Sequence, residues 1–526
     1  MQTPAIPQRS SGNASSTPAA GEADQHSGWF GYPRGTWLII GIEFWERFSF
    51  YGMLAILALF LTGDVAHGGF GWSSAQALTI VGAYSGAMYA FPAFGGYLAD
   101  RVLGRRRAVA LGASTMLMGQ ILTASPAYLP ALLGLWHHAP LLEALHSLGV
   151  PLGEIDRGPQ IAAAIAQHGA SIGRLHGIAW LSEAYGASAL GFYAALFFLI
   201  VGNALMKSTL VVLCGETLRP DDPRRESAFA YYYLGISVGA MLSGFAVGVV
   251  SERYGWPYGF AVAAVGMAVS LILYLLLGPR WLGDIGLKAL ASRSDAQNSD
   301  AEAVPPARGE NTRRIVLVLV LAGLMCIFST GWFQMFGSWS LFIEHSVDRS
   351  VGAFVVPVAW FSSINAAVVI LIAPIIAALW IRLAARNRHI DIVQKYFFAL
   401  SMVTLGNALM YAAGLLTTHG GLAPLWMPLL GVALLGLGEI VAWTATYGFV
   451  SRAAPAGFAS VTMGAWYLLT LGLGGYLSGV TGKWVDPIGF TATFGCIAAT
   501  MAFGAAAAIA LRVPLGRMAA RANVPL

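Results

Sequence analysis

Residues 41–53 read GIEFWERFSFYGM, and they place Glu43, Glu46 and Arg47 inside an apolar run that extends from about residue 36 to 61. A run of that length is enough to cross the hydrocarbon core of a bilayer as a helix. On a helix the spacing of four puts Glu43, Arg47 and Tyr51 on one ridge, and Glu46 lies beside them, three residues from Glu43. A charge at the bilayer centre costs at least about 2.5–3.5 kcal/mol, so a polar strip here implies a cavity, a partner or a function. One neighbour stabilises the charged carboxylate and burial opposes it, which is the balance a proton carrier needs.

The rest of the chain agrees with a lipid setting. Of 526 residues 57% are hydrophobic and 10% charged, well below the roughly 25% charged residues of soluble domains. A soluble globular enzyme, a disordered chain and a disulfide scaffold are therefore excluded. Cys214, Cys326 and Cys496 lie far apart in apolar stretches without metal spacing and read as inert core residues. Apolar segments recur at about 36–61, 77–99, 107–128, 189–213, 228–250, 258–278, 315–342, 354–380, 396–416, 424–450, 459–481 and 489–511. Twelve membrane helices are thus predicted.

The net charge of +5 follows from topology rather than from nucleic-acid binding, because cytoplasmic loops retain Lys and Arg. With both termini inside, 23 of the 30 basic residues fall on the cytoplasmic side and five outside (Arg157, Arg174, Arg253, Arg349 and Lys483). Arg47 and Lys207 remain within the membrane. Residues 1–35 lack the pattern of a signal peptide and are expected to form a flexible polar cytoplasmic tail. The polar stretch 280–313 links two six-helix halves, 36–279 and 314–512, and a second cytoplasmic tail covers 513–526. An outer insert at 129–187 carries His137, His138, His146, His168 and His176 among Ala and Leu. Short surface helices are expected there rather than a metal site, since no HExxH pattern or close carboxylate accompanies the histidines.

Two further buried charges stand alone on their helices. Lys207 lies in GNALMKSTLVVLCGE (202–216) and Glu439 in LLGLGEIVAW (434–443). Opposite charges in different halves can bridge a central cavity and close one side of it, or can form a static pair that fixes helix packing. At the inner ends of the second and third helices, GGYLADRVLGRRR (95–107) supplies Gly95 and Gly96 for close helix approach. Asp100, Arg101, Gly104, Arg105 and Arg106 then tie the loop to helix ends.

EFWERFSFYGM resembles the ExxERFxYYG motif of the proton-dependent oligopeptide transporters, a branch of the major facilitator superfamily. GGYLADRVLGRRR, FAYYYLGISVG (229–239), WPYGF (256–260), SSINAAVVILIAP (362–374) and GFASVTMGAWYLL (457–469) follow in the family's order. The resemblance implies an all-α integral membrane protein of the major facilitator fold, with both termini cytoplasmic. It implies a multi-pass inner (plasma) membrane symporter that imports di- and tripeptides with protons, needs no cofactor beyond the proton gradient and is not an enzyme. Glu43, Glu46 and Arg47 become the proton-coupling group, with Lys207 and Glu439 sharing in the coupling and Arg47 also contacting substrate. Lys207 and Glu439 become inner-side residues that contact peptide and each other, while Tyr51, Tyr89, Ser237, Asn365 and Trp466 become pocket positions. Small peptides and membrane lipid are the expected partners, and a monomer is the expected form.

The departures bear on substrate range. Phe50 replaces a Tyr, Leu54 an Arg and Phe333 a Glu; without that Arg and Glu the outer gate is expected to close through apolar packing. Lys207-Ser208-Thr209, Ile236-Ser237 and Trp443-Thr444 stand where the family has Lys-Pro-Asn, Ile-Asn and Ser-Pro. An amino acid, nitrate or another small metabolite is the alternative cargo.

Overall fold

The computed structural model describes residues 28–63, 69–124, 178–219, 222, 224–287, 310–386, 388, 390–453, 459–522 and 524. The histidines of the outer insert, residues 1–27 of the tail and most of the linker lie outside this set. Within it the first half contains α1 (Arg34–Thr62), α2 (Ser74–Leu103), α3 (Arg105–Ala124), α4 (Ile178–Glu216), α5 (Arg225–Tyr254) and α6 (Trp256–Trp281). The second half contains α7 (Glu310–Trp332, carried on by turns and Ser338–Ser346), α8 (Trp360–Ala385), α9 (Ile392–Thr417) and α10 (Trp426–Ala453). It ends with α11 (Ala459–Tyr467 and Leu473–Gly482 around a π turn) and α12 (Val485–Arg521). Helices therefore occupy all twelve predicted segments among the described residues. Ten are long and apolar enough to cross a membrane; α3, which opens on Arg105, Arg106 and Arg107, and α11, which the π turn divides, are the exceptions among the described residues.

Several limits differ from the sequence reading. The eighth helix starts at Trp360 rather than near 354, because β2 (Ser350–Val351) and β3 (Phe354–Val355) form a hairpin turned by Gly352, and Pro357 cannot donate to a preceding turn. Two further short outer strands, β1 (Val347–Asp348) and β4 (Ala423–Pro424), pair in parallel. The expected C-terminal tail is helical as far as Arg521. The fourth helix begins at Ile178, inside the segment expected to be insert.

Lipid gives no hydrophobic reward for helix association, so small residues and close backbones decide packing. Leu276, Leu371 and Phe503 accordingly remain two-thirds or more exposed on the protein's own surface. α1 is the inner helix of the first half, packed against α5 and α6, and α3 lies along α4. In the second half α9 packs on α10 and α12. The halves meet through α2 against α11 and α5 against α8.

That junction is tightest on the outer side. A Cβ placed on Gly82 would lie 2.5 Å from Gly479 Cα, and one on Gly248 would lie 2.9 Å from Ala359 Cβ. Hydrogen bonds cross there as well: Ala75 N–H donates to Asp486 (3.0 Å), and Trp360 Nε1–H to the Phe245 carbonyl (3.3 Å). The structure is closed on its outer face.

Candidate functional site

The α1 strip is built as its spacing predicts. Arg47 Nε lies 3.1 Å from Glu43 Oε1 and also donates to Glu46 Oε2. All three side chains are almost completely buried. Glu43 Oε2 and Glu46 Oε1 have no hydrogen-bond partner among the described residues. One guanidinium therefore faces two carboxylates, and a single proton makes the trio neutral. Asn203, one turn before Lys207 on α4, was not singled out from sequence; its Oδ1 accepts from Arg47 Nη2 (3.4 Å) and its Nδ2 donates to the Met88 carbonyl (2.7 Å). It joins α1, α2 and α4 at the cluster. A lone Asn in an apolar helix carries no local sign of that role.

Lys207 and Glu439 do not pair in this structure. Lys207 Nζ sits 3.8 Å above the Tyr89 ring, a cation–π contact. Glu439 Oε2 accepts a hydrogen bond from Trp332 Nε1 at 3.0 Å. Each charge thus rests on an aromatic neighbour in the conformer closed outside. Both side chains are only partly buried, unlike the α1 trio.

Aromatic rings fill the space between these charges. Tyr89 meets Phe333 across the two halves at 6.0 Å between centroids, and Tyr51 meets Phe336 at 6.1 Å. Leu54 and Phe333 are both buried, which agrees with an outer closure made by apolar packing. An ionic group beyond it was missed by the sequence reading, which counted Arg349 only as an outer cation. Arg349 Nη1 lies 3.0 Å from Glu252 Oε1 of α5 and Nη2 lies 2.9 Å from Glu344 Oε2, while Glu252 also accepts from Val358 N–H. The arginine links the end of α5 to the α7–α8 connection.

The remaining pocket candidates are held in place by their own bonds. Ser237 Oγ–H donates to the Tyr233 carbonyl in its own helix (3.1 Å), and Asn365 Nδ2 donates to the Val432 carbonyl (3.1 Å), tying α8 to α10. Trp466 is 1% exposed and its indole N–H lacks a partner among the described residues. Of these three, Trp466 alone has a buried side-chain donor atom with no partner among the described residues.

The inner-loop motif forms a local lock. A Cβ on Gly95 would fall 2.0 Å from the Ala204 carbonyl oxygen, so only glycine lets α2 reach α4 there. Gly96 faces Ser208 in the same contact. Gly104 turns the chain with φ +76°. Arg105 Nε then bonds Asp100 Oδ1 (2.8 Å), and its Nη1 donates to Glu216 at the end of α4, while Arg101 remains exposed.

Comparison with known proteins places this arrangement. A POT family profile matches residues 106–297 and 290–494. The "Uncharacterized transporter YclF" of Bacillus subtilis is 26% identical over 89% of this chain and 92% of its own. The "Peptide transporter YePEPT" of Yersinia enterocolitica is 25% identical over 93% and 96%. Among solved structures, a variant of a peptide transporter POT in complex with sulfate superposes with a TM-score of 0.76 at 22% identity, covering 94% of this chain and 98% of that one. A POT family transporter in complex with 5-aminolevulinic acid gives a TM-score of 0.75 at 20% identity, covering 94% and 99%. The chain is a multi-pass membrane protein of the major facilitator fold, and it belongs to the POT family.

Proposed function

We propose that the protein is a symporter that imports di- and tripeptides together with protons, by alternating access between its two halves. The observation that carries this reading is the α1 cluster of two buried carboxylates on one guanidinium, beside a lysine with no carboxylate partner among the described residues. The cluster changes net charge with one proton, and the change is felt where a charged cargo would sit. Glu43, Glu46 and Arg47 couple the proton. Lys207 and Glu439 receive the carboxylate and ammonium ends of the peptide and meet each other when the inner side closes. Tyr51, Tyr89, Ser237, Asn365 and Trp466 line the passage. Relatives described as "Dipeptide and tripeptide permease A" support the cargo class. In proteoliposomes with an alkaline interior a labelled dipeptide is expected to accumulate. Glu46→Gln is expected to abolish gradient-driven uptake; uptake that persists unchanged sinks the proton assignment.

A second reading keeps the transporter and changes the cargo to an amino acid, nitrate or another small metabolite. Phe333 and the Ser208-Thr209 pair depart from the family pattern, and a structural relative was crystallised with 5-aminolevulinic acid. A thermal-shift panel of dipeptides against these solutes decides between the two, with no peptide shift at millimolar concentration favouring the second.

A further inference from the structure

Trp332 is the last residue of the regular part of α7, and its ring is held edge-on by Phe333 (5.0 Å) and Phe336 (5.5 Å). The side chain is 6% exposed, so its indole has little freedom to turn. The single donor of that indole points at Glu439 Oε2, 3.0 Å away on α10. Among the described residues Glu439 makes no ion pair, and its other oxygen accepts no hydrogen bond. An indole N–H can only donate, so it occupies one oxygen of the Glu439 carboxyl group without bringing a charge to pair with it.

We infer that Trp332 is a positioning residue for cargo recognition: it fixes the Glu439 carboxylate by one oxygen and leaves the other open toward the cavity for the ammonium group of a substrate. The inference rests on the proposed peptide reading for the identity of that ammonium. Without the indole bond the carboxylate has several rotamers to lose on binding, and the cost falls on affinity for the amine rather than on the transport cycle. A tie that served only to pack α7 on α10 would alter stability and rate for all cargo alike.

The test is Trp332→Phe, which keeps an aromatic ring and removes the donor, with Trp332→His to restore an N–H. Uptake of a free dipeptide by reconstituted full-length protein should show KM raised by about tenfold, the scale of one charge-assisted hydrogen bond, with the maximal rate within about twofold. Competition by the N-acetylated dipeptide should be unchanged, and Trp332→His should recover part of the affinity. Equal losses for free and N-acetylated peptide, or a loss of maximal rate alone, overturn the inference. Infrared difference spectra provide an arm that needs no cargo: the Glu439 carboxylate band, assigned with Glu439→Gln, should shift between wild type and Trp332→Phe. An unshifted band overturns the inference, while a shifted band in a protein that binds no peptide overturns the peptide reading instead.

Discussion

Replacing Gly82 by leucine attacks the contact that closes the outer face. A Cβ at Gly82 would stand 2.5 Å from Gly479 Cα and 2.6 Å from its N, and one at Gly479 would stand 2.7 Å from Gly82 Cα. Carbon atoms pack at about 3.5–4.0 Å, so the two helices must part by roughly 1 Å for the Cβ alone and further for the rest of the side chain. Rotation offers no escape, because a Cβ on Gly86 would lie 2.9 Å from Gly472 O and one on Gly482 would lie 3.2 Å from the Leu78 side chain on the same seam. Overpacking of this kind costs about 1–3 kcal/mol. The penalty applies only while α2 and α11 touch, so the closed-outside state loses about 5- to 150-fold in relative population. The assay is labelling of Ser85→Cys with a membrane-impermeant maleimide from outside, in a background without Cys214, Cys326 and Cys496. Ser85 is 1% exposed in the closed state, and Gly475 packs against its Cβ. Gly82→Leu is expected to raise labelling several-fold and to reduce net uptake, with Gly82→Ala intermediate. Unchanged labelling with normal uptake refutes the idea that this seam is the closure.

Three further outcomes follow from the same contacts. Arg47→Gln leaves Glu43 and Glu46 buried without their cation, a loss of about 3–5 kcal/mol, seen as a clear fall in melting temperature in detergent; an unchanged melt means the carboxylates are protonated or solvated there. Arg349→Ala releases Glu252 and Glu344, which are about one-third exposed, so the loss is only about 1 kcal/mol and Ser85→Cys labelling rises a few-fold; a rise as large as that of Gly82→Leu contradicts the ranking. Tyr89→Ala removes the ring under Lys207 and should increase its modification by an amine-reactive reagent, whereas Tyr89→Phe keeps the ring and should not; equal reactivity means the cation–π contact does not hold the lysine.

The residues of α1 were legible because their relationship is local. A spacing of four on a helix brings Glu43 to Arg47 whatever surrounds them, and the buried charge then demands an explanation. Topology was legible from the distribution of arginines, which loop composition records directly. Contacts that join distant parts of the chain left no such trace. Trp332 is one of 62 aromatics in the sequence, and nothing in its neighbourhood tells that its indole reaches a carboxylate 107 residues later. Arg349, Glu252 and Glu344 look like ordinary outer charges until the halves close over them. Lys207 and Glu439 were legible as opposite charges in opposite halves, but their aromatic rests in this conformer depend on tertiary packing. The start of α8 was misplaced because the hairpin ahead of it is apolar enough to extend a hydropathy run.

Proton movement with cargo can be measured without a label. Proteoliposomes holding the full chain and a trapped pH indicator are given an external dipeptide at equal internal and external pH, with membrane potential clamped inside-negative. The lumen should acidify when the dipeptide is added, and Glu46→Gln should abolish the response. Dipeptide uptake with no change in luminal pH would contradict proton coupling.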